Sequence, residues 1–109
     1  MTVASNQSGS QTATISTEHS LGSAITAAGV YVLVVDTNAM VNGDILELRI
    51  KTKAKSGSTS RLAYVATYAH IQSDPNKYSV PVPIDTDFVC TLKQTAGTGR
   101  VFDWNILSL

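Results

Sequence analysis

The chain has 109 residues, enough for a single domain with a core of its own. Eight Lys and Arg balance eight Asp and Glu, which argues against general affinity for nucleic acid or an anionic membrane and leaves little charge repulsion to oppose self-association. Cys90 is the only cysteine, so no intrachain disulfide is available; no apolar run reaches membrane-spanning length, and the N-terminal stretch lacks the basic and apolar regions of a secretory signal, so cytoplasmic synthesis is expected.

Residues 1–11 are Ser, Gln, Asn, Thr and Gly with little to bury. Such a segment cannot offset an ordering cost of about 1–2 kcal/mol per residue, so it is expected to be a flexible polar arm ahead of one domain at 12–109. Its removal is then expected to leave stability almost unchanged. Beyond the arm, β-branched residues dominate and turn residues recur every ten to twenty positions, from Gly22 to Gly97-Thr98-Gly99. That spacing predicts an all-β domain, an antiparallel sandwich or jelly-roll-like barrel of about seven or eight strands.

Residues 30–37 are apolar on both faces, as in a central strand or one whose outer face is covered. Residues 45–55 alternate strictly. Leu46, Leu48, Ile50, Thr52 and Ala54 fall on one face, and Glu47, Arg49, Lys51, Lys53 and Lys55 on the other. The basic stripe reads as a solvated face. Residues 61–72 read as a further strand, joined to the charged one by a hairpin loop at Ser56-Gly57-Ser58-Thr59. Pro81 and Pro83, two residues apart, remove two donors from one side of their segment and place it at a sheet edge. Residues 88–95 and 101–107 alternate as strands. The predicted core holds Val32, Val34, Leu46, Leu48, Ile50, Leu92, Phe102 and Trp104.

Ala96-Gly97-Thr98-Gly99-Arg100 poses a choice between a phosphate-cradling loop and a turn. A phosphate loop needs a helix after it, and a Lys-Ser/Thr pair. Here Val101 follows Arg100 and a strand pattern follows both, so the glycines read as a hairpin turn. Cys90 and His70 are candidates for a nucleophile–base pair, but no third orienting residue accompanies them. They read as a small core residue and a strand-end residue. His19, His70, Asp85 and Asp87 lack metal-ligand spacing. No catalytic, cofactor or metal site is assigned, and the chain is not expected to be an enzyme.

The blocks Gly43 to Arg49, Arg61 to Ala66, and Leu92 to Arg100 with the later Trp104 resemble small proteins encoded by tailed bacteriophages, usually near the major capsid protein gene. The resemblance spans roughly residues 20–109, and the QTAGTGR turn is its most specific part. It implies a virion structural role on the capsid exterior, as a decoration (cement) protein. Such a protein is β-rich, lacks cofactors, binds the major capsid protein and forms dimers or trimers. Residues Met1, Thr2, Val3, Ala4 and Ser5 of the arm, with Tyr31 and Leu33 of the doubly apolar strand, are the candidate partner interface. Two other readings stand beside it: a tail or fibre attachment module, and a carbohydrate-binding sandwich that stacks sugars on Tyr64, Tyr68 or Trp104.

Overall fold

Period-two burial runs through the long strands of the computed structural model, which describes residues 2–109. In chain order the strands are β1 (Ala4–Thr12), β2 (Glu18–Ser20), β3 (Gly29–Asp36), β4 (Ile45–Thr52), β5 (Arg61–Ala69), β6 (Asn76–Tyr78), β7 (Val82–Ile84), β8 (Phe88–Ala96) and β9 (Val101–Ser108). They form two antiparallel sheets. One runs β1-β9-β3, with β7 and β6 end to end along the far edge of β3; the other runs β2-β8-β4-β5. The architecture is an all-β sandwich.

The core lies between the sheets. Leu46, Leu48 and Ile50 of β4, Phe88, Cys90 and Leu92 of β8, and Phe102, Trp104 and Ile106 of β9 all point into it. The charged side of β4 faces outward, where Arg49 and Lys51 pair with Glu18 of β2, and Arg49 also with Glu47. The buried Thr91 hydroxyl beside it, then Lys51, holds the Glu18 carboxyl below its ordinary range. Even half-exposed, such pairs contribute little to stability individually.

Successive strands mostly alternate between sheets. Among the described residues, β4 and β5 are the consecutive pair joined as a hairpin, with Gly57 at φ 86° in the loop. The Pro81–Pro83 segment lies on an edge, as its missing donors require, with β7 paired to β3 alone.

Two expectations about the fold are corrected. The polar arm is a strand. Ala4 to Thr12 pair antiparallel with Ser108 to Val101 of β9, with one bulge between Ser5 and Gln7, and this adds a strand to the seven or eight expected. A backbone ladder supplies the ordering that apolar side chains do not. Side chains add to it: Ser5 donates to Asn105 (2.6 Å), and Gln7 both donates to the Ser23 carbonyl (2.9 Å) and accepts from its N–H (2.8 Å). Gly9 lies against the Trp104 indole, where a Cβ would meet Cζ2 at 3.2 Å.

The second correction concerns the glycine turn. It is a corner between sheets and not a hairpin, because β8 belongs to the four-stranded sheet and β9 to the five-stranded one.

Candidate interaction surfaces

The QTAGTGR corner is built around two buried polar side chains. Gln94 donates from Nε2 to the carbonyls of Ala96 (3.1 Å) and Thr98 (2.7 Å) and accepts from the Arg100 N–H (3.1 Å). Asp44 accepts from the N–H of Val41 (3.0 Å), the N–H of Thr98 (3.3 Å) and Nε of Arg100 (2.9 Å). Burial alone pushes the Asp44 carboxyl up. The N–H of Val41, the Arg100 guanidinium and the N–H of Thr98 outweigh it and hold the group below its usual range. Gly97 sits at φ 89°, and a Cβ there would meet Asp44 Oδ1 at 1.9 Å; a Cβ on Gly99 would meet the Ala13 carbonyl oxygen at 2.2 Å. The amides of Thr98 and Arg100, which a phosphate loop would aim at its ligand, are spent on Asp44 and Gln94 of the same chain. The position of a bound anion is taken by an internal carboxylate.

Cys90 and His70 lie at opposite ends of β4. Cys90 faces Ile50 across the ladder, and His70 follows Ala69, which faces Ile45. About six residues along the strands and two strand spacings across the sheet put them roughly 20 Å apart, beyond any proton transfer between them. Burial pushes the Cys90 thiol up to about 12. His70 is in the left-handed region at φ 67°, with its N–H donating to the Asp44 carbonyl (2.8 Å) and its Nδ1 accepting from the Gly43 N–H (2.9 Å). It caps the loop that leads into β4. Among the described residues, no three His, Cys, Asp or Glu side chains gather as a metal site. A shallow groove of about 400 Å³ lies at the β4–β5 loop, lined by Thr52, Ser58, Thr59, Arg61 and Leu62 among others.

The aromatic side chains that a sugar-binding face would use are turned inward, Trp104 into the core as expected. Trp104 is 8% exposed. Tyr64 and Tyr68 pack against the core with Val82 and Ile84, and Lys77 Nζ lies 5.1 Å from the Tyr68 ring centroid. Burial first, then the neighbouring Tyr64, raises the Tyr68 hydroxyl above its ordinary range.

Of the expected interface, Met1 lies outside the described residues. Thr2 and Val3 are exposed, as are Ala4 and Ser5 on β1. Tyr31 and Leu33 are core residues and not interface: they are 4% and 1% exposed, the Tyr31 ring lies 5.3 Å from that of Phe88, and its hydroxyl donates to the Ala27 carbonyl. The outward side of β3 is instead Val30, Val32 and Val34. Across the sheet this face reads in rows: Ser5, Leu107 and Val32; then Ser8, Asn105, Val34 and Tyr78; then Ser10, Asp103, Asp36 and Asn76. It therefore grades from an apolar strip over β3 and its edge, where Tyr78 and Val80 are exposed, to hydroxyls on β1. No family model, curated protein or solved structure matches this chain.

Proposed function

We propose that the protein is a structural component of a virion: a decoration (cement) protein that binds the outside of the shell formed by a tailed bacteriophage's major capsid protein, stabilises it, and associates with further copies of itself as a dimer or trimer. The observation that carries the reading is the outward face of the five-stranded sheet, where Tyr78 and Val80 are exposed beside the half-buried Val30, Val34 and Leu107. Exposed apolar surface beside polar groups is the composition of a protein-binding patch. The inward-turned Trp104, Tyr64 and Tyr68 weigh against a sugar-binding face. The blocks that carry the phage resemblance contain Asp44, Gln94, Gly97, Gly99 and Arg100, the residues that lock the corner between sheets. Those corner residues act as scaffold, and the face proposed for capsid binding lies away from them. Weak contacts repeated over a capsid lattice would add through avidity.

The test is co-sedimentation of the purified chain with capsids that lack it, followed by electron microscopy. Density on the outer shell and a higher capsid disruption temperature are expected. Failure to bind, or density confined to tails or fibres, would overturn the reading.

A further inference from the structure

The four sheet edges are not alike. β2, β6 and β7 are three residues each, and the segment holding β7 carries Pro81 and Pro83. β1 is long but polar, and broken by a bulge between Ser5 and Gln7. These are the devices that keep sheet edges from pairing with other chains. β5 has none of them within its regular part. From Tyr64 to Ala69 it holds no charge, no proline and no glycine, and Val65 is 45% exposed.

Its free side can be assigned residue by residue. The His70 N–H points to Asp44, on the β4 side. Backbone groups alternate sides along a strand, so Tyr64, Ala66 and Tyr68 turn theirs toward β4, while Val65, Thr67 and Ala69 turn theirs to the open edge. The Ala69 carbonyl already accepts from Gln72 Nε2 (2.7 Å). Ala63 lies at the β4–β5 irregularity, where Ile50 faces Tyr64 and Lys51 faces Leu62. Val65 and Thr67 are left, each with an N–H and a carbonyl that pair with nothing among the described residues, as does the N–H of Ala69.

We propose that β5 pairs with β5 of a second copy, antiparallel about a two-fold axis through Ala66. This deepens, and rests on, the self-association in the proposed function. The register follows from the free groups. Pairing Val65 with Thr67 of the other copy, and the reverse, uses both donors and both acceptors of Val65 and Thr67 in two doubly bonded pairs and leaves the Ala69 N–H to solvent. Ala66 then meets its own copy in the non-hydrogen-bonded position, where strands approach to a Cα separation of about 4.5 Å and a small side chain fits. Arg61, the one charged residue of β5, stays outside the paired segment, so no like charges are brought together. The contact is isologous, and closes at two copies. It joins two four-stranded sheets into one of eight strands and leaves the apolar face of the other sheet free.

The test uses the full chain. Sedimentation across micromolar to millimolar concentration is expected to show a reversible dimer. Thr67→Pro removes an N–H on the open side without touching the β4 ladder, so the native unfolding midpoint is kept while dimerisation weakens by about tenfold or more, as expected for lost hydrogen bonds. Should the proline lower the midpoint, Val65→Lys replaces it, with the same loss of dimer expected. Ala66→Cys is expected to form an intermolecular disulfide under mild oxidation, since the pair separation lies within the range of about 4.4–6.8 Å that such bonds accept. A monomer at every concentration, undiminished pairing of the edge-blocked variant, or oxidation of Ala66→Cys no faster than of Ser58→Cys would overturn the proposal. Capsid binding is read separately. A chain that binds capsids but never pairs through β5 overturns this inference alone, and one that pairs through β5 but ignores capsids overturns the virion reading and leaves this one supported.

Discussion

Asp44 holds three donors at once, and each belongs to a different turn of backbone or side chain. Its neighbours cannot be satisfied by water, because the carboxylate is almost completely enclosed. Asp44→Ala strands the N–H groups of Val41 and Thr98 and leaves Arg100 without its partner. The expected loss is about 2–4 kcal/mol in denaturant unfolding, the range for a buried charge network missing one member. The pH dependence has a definite sign. The folded carboxyl lies below its ordinary value of 3.8, so its contribution is present above that value and is lost as pH falls through the lower folded value. Stability of the native chain therefore falls on acidification below about pH 4, and that slope should be shallower in Asp44→Ala. A variant with the same acid slope as the native chain would remove Asp44 as its source.

At the scale of elements, β1 is the strand that composition hides. Its side chains are polar on both faces, so it carries no period-two signal, and what orders it is a partner strand about a hundred positions away. Deleting residues 2–10 is expected to destabilise the chain by at least about 2 kcal/mol, because it uncovers the edge of β9 and the Trp104 ring beside Gly9. Unchanged thermal unfolding of the truncated chain would return the segment to the status of a mobile arm. The alternating strand at 45–55 was legible because its two faces differ in chemistry, and the edge segment because of its paired prolines. The strand at 30–37 was legible as a strand but not by face: with valine, tyrosine and leucine on both sides, composition has no means of telling Tyr31 and Leu33, which are core, from Val30 and Val34, which look outward. The QTAGTGR turn was legible as a turn. Its role as a corner was not, because the carboxylate that fills it comes from Asp44, more than fifty residues earlier. The open side of β5 was out of reach for a similar reason, since which backbone groups are free depends on the His70–Asp44 bond.

For the molecule as a whole, Cys90 offers an internal probe. It is buried in the shared core, on β8, and its thiol is pushed up to about 12 by burial. Little thiolate exists at neutral pH, and no reagent reaches it without opening the sandwich. Labelling by a thiol-specific reagent in native buffer is expected to be negligible, and to rise with denaturant in step with loss of the β-sheet circular dichroism signal. Fast labelling before that transition would place a separate local opening around β8, and would break the expectation of one cooperative unit.

β9 lies between β1 and β3, and of the strands among the described residues it is the last to be made. Until it has emerged from the ribosome, the first strand has nothing to pair with and the five-stranded sheet has no centre. The four-stranded sheet meets no such delay, since β2, β4, β5 and β8 are all complete before β9 begins. The order of synthesis thus separates the two sheets in time: one can assemble early with its apolar face uncovered, and the other closes over it only at the end. A nascent chain of this protein should therefore depend on shelter from chaperones until β9 appears, and pulling force on stalled chains should register in one step as β9 emerges.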